Sequence, residues 1–558
     1  MSRKTCVATL LCLLVPLLIF AQERVDLNVI HKIKTAELGG GGGFGGGGGR
    51  GGGGRGGSQV MEIMYNLTDR YGPRLTNSPQ FRAAGAWAVG QLKEWGLSNV
   101  HLEDWSTEGG RGGAIPSWQM TGYSGAMVDP TYMPIIGYPQ AWTGGTNGPI
   151  TAEATMASIQ TPADLDKYHG KLKGKIVLIA PALELPFPTT PLAHRYTDAE
   201  LADLVPEIFP TGGGRGGRGG RAGQVAALAN MTPEERQAFT ERQRNFWKDE
   251  GVLLTITASA RGESGTVFAS NGAARTGDPT KNTPAIAITA ENYNRIARLL
   301  EHSYPVKLSF DIKTEFDMSK TTSFNVVAEI PGTTKANEVV MVGGHFDSWH
   351  MGTGATDNGA GSAVAMEAMR LLKSLNLKMD RTVRMALWGG EEEGLLGSQA
   401  YVKAHFADPT VMKPTAEHDN FSVYLNVDNG TGKIRGVYLQ GDEMARPIFE
   451  QWFAAIKDLT SGVITVRNTG GTDHQSFAAV GLPGFQFIQD PMDYDTRTHH
   501  SNMDVYDRIQ QGDLEQIAII EAAFLYNAAT RPDKFPRLDL PAPQAGRGGR
   551  GRGGAGGQ

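Results

Sequence analysis

The chain has 558 residues, 40% apolar and 20% charged, with 53 Lys and Arg against 58 Asp and Glu. That length exceeds what one core needs, so more than one globular unit is expected, and the composition is that of ordinary soluble domains. A formal net charge of -5 excludes the strongly basic footprint of a chain built to neutralise nucleic-acid phosphates.

Arg3 and Lys4 precede an almost wholly apolar run from Val7 to Phe20, and Ala21 is placed for cleavage. Residues 1–21 therefore read as an export signal, too short and too early for a membrane span. Cys6 and Cys12 both fall inside it, so the mature protein is expected to lack disulfides and thiolate ligands, leaving imidazole and carboxylate to hold any metal. Residues 22–57 read as a Gly/Arg-rich disordered segment, as do the tracts at 212–222 and 541–558, because such glycine buries too little apolar surface to offset its ordering entropy. The tracts resemble RNA-binding RGG boxes, but export and the lack of aromatic stacking platforms favour flexible linkers.

Residues 58–134 open with a helix over FRAAGAWAVGQLKEWGL, offering Ala84, Trp87, Leu92 and Trp95 to one apolar face, followed by a strand at VHLE. Residues 135–312 differ: KIVLIA, VLLTITA, AIAIT and VKLSFDI are short strands between polar loops, the text of a separate strand-rich module. Within it Thr232 caps a charged helix, with Pro233 at the first position and Glu235 reaching back. From 313 to 540 strand and helix alternate: FNVVAEI, EVVMVGG, a helix over 359–375, TVRMALW, a helix over 394–404, FSVYLNV, a helix around 443–458, GFQFIQD and a closing helix over 513–530. Such alternation predicts an α/β sheet covered by helices.

The acids and histidines fall at the ends of those strands. His345 and Asp347 follow EVVMVGG, Glu391 and Glu392 follow TVRMALWGG, Asp428 ends FSVYLNV, and His500 lies beyond GFQFIQD. Carboxyl ends of strands are where α/β sheets gather ligands. Singly, each residue reads equally well as a cap, a turn or a solvated acid; together, two imidazoles and three carboxylates suit two divalent cations sharing one bridging carboxylate. In HFDSWHMGTGATDNGAG, His345 would bind through one ring nitrogen while Asp347 orients the other, and Gly352, Gly354, Gly359 and Gly361 let Asp357 reach between the ions. Of the adjacent Glu391 and Glu392, one can ligate while the other takes a proton from water. A phosphate-binding turn is rejected, because Asp357 stands where GxGxxG needs its third glycine.

The pieces GGHFDSW, GATDNGAG, LWGGEEEG, NVDNGTG, GGTDHQSF with GLPG, and THHSNMD resemble the co-catalytic zinc exopeptidases, closely from about Ser323 to Ala529. The resemblance implies a mixed-sheet α/β catalytic domain with helices on both faces and an inserted, strand-rich, protease-associated-like domain. It implies two Zn2+, with Mn2+ or Co2+ as substitutes: one ion on His345, Asp357 and Asp428, the other on Asp357, Glu392 and His500. His500 is chosen over His499 because it opens H-S-N-M-D, the family's H-[ST]-x-x-D pattern. Glu391 becomes the general base toward a metal-bridged water, and the Asp357–Asn358 peptide is expected to be cis. Asp473 and His474 line the substrate pocket or belong to a hydrogen-bonded loop, and no tyrosine is assigned to the oxyanion.

The expected protein is an exported exopeptidase or dipeptidase, secreted or periplasmic, acting on short peptides. It has no nucleic-acid partner and no stable membrane span after signal cleavage, and a homodimer stays open. Two alternatives stand beside it: a binding protein whose RGG tracts engage nucleic acid or an anionic surface, and glutaminyl cyclase-like or amide-hydrolysing chemistry on the same fold.

Overall fold

Strands with apolar side chains on both faces build the sheet that carries the candidate ligands. Val340, Val342, Val383, Met385 and Leu387 enter one core while Met341, Ala386 and Trp388 enter another, the two-residue alternation of strands buried on both sides. The computed structural model describes residues 23–39, 57–106, 114–205, 231–259, 261–268 and 282–544. The expected export signal, the tract at 212–222 and most of the C-terminal tail lie outside the described residues.

The central sheet has eight strands, in spatial order Ser98–Ser106, Thr322–Ile330, Arg381–Trp388, Lys335–His345, Phe421–Asn426, Gly484–Gln489, Ile434–Tyr438 and Val463–Thr465. Lys335–His345 runs parallel to both its neighbours, and Phe421–Asn426 parallel to Gly484–Gln489. Thr322–Ile330 runs antiparallel to both of its neighbours, so the sheet is mixed. Helices Pro79–Glu94, Ala360–Ser374 and Gln511–Thr530 contribute to the core on one face, and Leu396–His405 and His474–Ala478 to the core on the other. The mixed α/β sheet with helices on both faces is the expected architecture.

The structure departs from expectation at the N-terminus. Within the segment 22–57, read above as disordered, Leu27–Leu38 forms a helix. Asp26 caps it, accepting from the Asn28 and Val29 N–H groups at 2.9 and 3.2 Å, and Val29, Ile30 and Ile33 enter the main core. That apolar spacing is helical, and the neighbouring glycine tract masks it in the composition.

A second eight-stranded sheet includes Ile150–Met156, Ile176–Leu178, Leu254–Ala258 and Ala285–Ile288. Leu254, Ile256, Ile286 and Ile288 pack with Tyr293, Ile296 and Ala297 of helix Ala290–Glu301. Its long strand Ser117–Asp129 pairs antiparallel with Lys307–Asp317, so this sheet reaches beyond 135–312 at both ends. The text SWQMTGYSGAMVD, rich in Gly and Ser, hides that strand until its partner is known. Helix Pro233–Asp249 has the expected start: the Thr232 N–H donates to the Glu235 carboxylate at 2.8 Å, and the Glu235 N–H to Thr232 Oγ1 at 3.2 Å.

The stretch around 192–205 lies against the catalytic half. His194 bridges Met492, Arg195 pairs with Asp490 at 3.0 Å and Asp513 at 2.7 Å, and the Leu192 carbonyl accepts from the Thr496 hydroxyl at 2.6 Å. These contacts brace the loop that leads to His500. Among the described residues no helix is long and apolar enough to cross a membrane.

Candidate metal centre

Parallel pairing places His345 directly beside Trp388, so the loops leaving those two strands start at the same edge of the sheet. Asp428, just past Phe421–Asn426, and the loop after Gly484–Gln489 open at that edge as well. His345, Asp357, Glu391, Glu392, Asp428 and His500 are thereby brought together. Asp357 sits at the middle, and its two carboxylate oxygens face different partners. Oδ1 lies 3.2 Å from His345 Nε2, which is also 3.2 Å from Asp428 Oδ1. Oδ2 lies 3.3 Å from His500 Nε2, which is 2.8 Å from Glu392 Oε2. His499 Nε2 approaches the same Oδ2 at 3.7 Å, so both histidines reach this side and His500 reaches it more closely.

These contacts fit a pair of cations. Donors held roughly 2.0–2.1 Å from a tetrahedral ion stand about 3.3 Å from one another, close to the separations on both sides of Asp357. Asp357 Oδ2 and Glu392 Oε1 are buried with no hydrogen-bond donor among the described residues. Nitrogen and oxygen donors without thiolates suit zinc, manganese or cobalt.

The loop that brings Asp357 to the centre is held by its backbone. Gly354 adopts φ 68°, and at Gly361 a Cβ would stand 2.2 Å from the Val427 carbonyl, so the following helix can begin this close only with glycine. The Asp357–Asn358 peptide is cis, as the resemblance implies. Asp504 fixes the approach: its carboxylate accepts from the Thr356 N–H at 2.5 Å, the Thr356 hydroxyl at 2.8 Å and the Asp357 N–H at 3.3 Å. His500 itself adopts φ 62°, an unusual backbone for a non-glycine residue and one that clusters at functional sites.

Asp347 acts differently from expectation. His345 Nδ1 faces the Asp347 main-chain carbonyl at 3.0 Å, which makes Nδ1 the donor and leaves Nε2 free to ligate. The Asp347 carboxylate is 3.8 Å from that nitrogen. It accepts instead from the Thr76 hydroxyl at 2.9 Å and from the Glu391 and Glu392 N–H groups at 3.1 and 3.3 Å. Asp347 thus positions the turn that carries both glutamates.

The site concentrates buried acid. Burial, reinforced by Asp428, Asp473 and Glu392, raises the Glu391 carboxyl well above its usual range, with the charge of His345 opposing. Burial and Asp357 do the same to Glu392. Asp357 goes the other way: burial disfavours its ionisation, but hydrogen bonding to His345 and the charges of the surrounding imidazoles hold its pKa well below the ordinary carboxylate value. His345 is raised, because Asp428, Glu391 and Asp357 outweigh the cost of burying its charge. Such a crowd of carboxylates is the environment a divalent cation relieves.

Three contributors escaped sequence reasoning. Tyr494 donates its hydroxyl to Asp357 Oδ1 at 3.0 Å. Thr76 reaches Asp347 as described. Arg74, fully buried, donates Nε to the Phe346 carbonyl at 2.7 Å, Nη1 to the Leu67 and Thr353 carbonyls at 2.6 and 3.1 Å, and Nη2 to the Gly354 carbonyl at 2.9 Å. It thereby ties together both ends of the loop between His345 and Asp357. The only local hint is a charged residue inside the turn-like YGPRLTNSP. Asp473 and His474 are both buried; burial brings Asp473 up to about 7, and Asp473 in turn raises Glu391.

Residues 325–525 match the family described as peptidase family M28. Over 477 residues the chain is 27% identical to carboxypeptidase Q of Mus musculus, covering 84% of this chain and 86% of that one. Among solved structures it is similar to a peptidase M28 precursor from Shewanella amazonensis SB2B, with a TM-score of 0.61 and 24% identity, covering 92% of this chain and 99% of that one. It is also similar to BSAP, a zinc aminopeptidase from Bacillus subtilis, with a TM-score of 0.52 and 18% identity, covering 85% and 94% of the two chains. The chain is a metallopeptidase, a hydrolase that acts on peptides.

Proposed function

We propose that the protein is an exported exopeptidase or dipeptidase that uses two zinc ions and Glu391 as general base. The observation that carries this reading is Asp357, whose two oxygens each face a separate set of donors. His345 and Asp428 would hold one ion with Asp357, and Glu392 and His500 the other. A relative named as a carboxypeptidase and a neighbour named as a zinc aminopeptidase support action at chain ends and zinc as the metal. The basic and apolar stretch at 1–21 supports export, and the charge balance supports peptide rather than nucleic-acid partners. The second sheet is read as the protease-associated-like insert beside the site.

Zinc bound there would supply a Lewis acid that polarises the scissile carbonyl and makes water nucleophilic near neutral pH. Glu391 ligates neither ion in this assignment. Its carboxylate lies 4.0 Å from His345 Nε2 and would receive the proton of the attacking water. It then gives that proton to the leaving amine nitrogen. Asp347 keeps this carboxylate in place through the main-chain N–H groups it accepts.

Replacing Glu391 by Gln keeps the shape and removes the base. Turnover of a dipeptide panel should fall by about 100- to 10,000-fold while zinc content by atomic absorption stays that of the parent. Full turnover in that variant with its metal retained would remove Glu391 from the role.

A further inference from the structure

We infer that a basic cavity beside the last two strands of the central sheet binds a phosphate group, free or carried as a monoester, and that the bound group fastens the stretch 192–205 to the catalytic half. None of the proposed metal ligands lines this cavity, nor does Glu391, so the site stands apart from the reaction.

The cavity, about 460 Å3 in volume, is lined by Arg195, by Lys433 and Arg435 at the start of strand Ile434–Tyr438, by Asp490 and by the turn 457–461. That is room for an anionic group with a small organic body attached. Main-chain contacts explain why such distant residues converge. The Asp490 N–H donates to the Lys433 carbonyl at 2.9 Å, which sets Lys433 beside the end of the neighbouring strand. The Thr460 hydroxyl donates to the Ile434 carbonyl at 2.7 Å and the Ser461 hydroxyl to the Arg435 carbonyl at 3.2 Å, so the turn carrying Lys457 is tied to the same strand. From the other side, the Tyr196 N–H donates to the Asp490 carboxylate at 3.0 Å and the Tyr196 carbonyl accepts from Arg435 Nη1 at 3.2 Å, which places Arg195 at the rim.

Both acids in the lining are already engaged. Asp490 accepts from Arg195 Nη1 at 3.0 Å and Arg435 Nη1 at 2.8 Å, and Asp458 holds the Lys34 ammonium at 2.7 Å. Arg195 Nη1 also stands 2.7 Å from Asp513. Five cations, Lys34, Arg195, Lys433, Arg435 and Lys457, thus meet three acids, Asp458, Asp490 and Asp513, and two positive charges are left over in a chain whose net charge is -5. Each arginine spends only Nη1. Among the described residues the Nε and Nη2 edges of both make no hydrogen bond, and such a planar edge takes two oxygens of one anion. A phosphate monoester brings about 1.5 to 2 negative charges at neutral pH and three acceptor oxygens, enough for two guanidinium edges and the Lys457 ammonium together. A carboxylate or a phosphodiester brings a single charge and leaves part of the surplus unmatched.

Asp490 follows strand Gly484–Gln489 and begins the chain that leads to His500, while Arg195 belongs to the stretch that bridges Met492 through His194. A group held by Arg195 and Arg435 at once spans that stretch and the sheet, which is why its binding should fasten one to the other.

The test is calorimetric titration of the full-length protein with sodium phosphate, glycerol 3-phosphate and sodium acetate at matched ionic strength. We expect one saturable equivalent of phosphate or of the ester per chain and none of acetate. Lys457→Glu reverses the charge of an exposed side chain that makes no bond among the described residues. It should weaken phosphate binding by about 10-fold with thermal unfolding of the free protein unchanged. Arg435→Lys keeps the charge and loses the fork, and should weaken binding by a similar factor. Tighter binding of the ester identifies an organic phosphate as the ligand and tighter binding of inorganic phosphate the free ion; either supports the site. Full-strength binding in both variants would put the phosphate elsewhere, the metal centre included, and overturn the proposal. Equal binding of acetate would overturn the match to a dianion, as would the lack of saturable binding by either phosphate. Amide exchange over 192–205 reads the fastening: it should slow by about 10-fold at roughly ten times the Kd, and unchanged exchange in the saturated protein would overturn that part.

Discussion

Asp504 is not among the assigned ligands, yet it decides where Asp357 stands. It gathers the Thr356 N–H, the Thr356 hydroxyl and the Asp357 N–H on one buried carboxylate, so Asp357 arrives already aimed. Partners of this kind typically tune metal affinity by about 10- to 100-fold. Asp504→Ala should therefore weaken zinc binding within that range in a competitive chelator titration, and unchanged affinity would mean that the loop holds itself. Arg74 complements Asp504 by bonding the carbonyls of the same loop. Burial lowers its pKa to about 10, opposed by Asp504, Asp347 and Asp357, so it stays cationic at neutral pH while its N–H groups hold four carbonyls around the loop.

At the scale of elements, the helix Leu27–Leu38 is fastened to Ala360–Ser374 through a buried acid pair. Glu37 accepts from the Ser58 hydroxyl at 2.6 Å, and Arg370 bonds Glu367 at 2.6 Å while standing 3.8 Å from Glu37. Burial, then the charge and hydrogen bond of Glu367, raise the Glu37 carboxyl far above its ordinary 4.5. The folded state therefore keeps a proton that the unfolded chain releases above about pH 4.5, and stability is lost as pH rises from there toward the folded value. Glu37→Gln should stabilise the protein at pH 8, leave it little changed at pH 4, and flatten the dependence between. Thermal unfolding across that range reads the difference; parallel curves for variant and parent would show that Glu37 is ionised in the fold.

At the scale of the whole molecule, the proposed ligands come from four strand ends and the loop of Asp357, so ions bound between them would cross-link the central sheet. A ligand that binds only the folded state at 100 times its Kd adds about 2.7 kcal/mol. Zinc at that excess should raise the unfolding temperature of the parent in calorimetry, and chelator should reverse it. The same addition should leave Asp357→Ala unmoved. An equal rise in that variant would place the ions elsewhere.

Much of this was legible in the amino-acid text. The strand periods, the mixed α/β class, the capping box at Thr232 and the placing of His345, Glu391, Asp428 and His500 after successive strands are local features, written within a few residues of where they act. The absence of cysteine outside 1–21 limited the donors to nitrogen and oxygen before any fold was known. What the text could not carry is contact between distant segments. Thr76 meets Asp347 across 271 positions, Arg74 meets the Phe346 carbonyl across 272, and Tyr494 meets Asp357 across 137. Hydrogen bonds over such separations leave no periodicity, so only packing reveals them. The same reason explains why Asp347 was expected to orient His345 with its carboxylate: two-residue spacing brings both its carbonyl and its carboxylate near the ring, and tertiary contacts with Thr76 and the Glu391–Glu392 turn decide that the carbonyl does it.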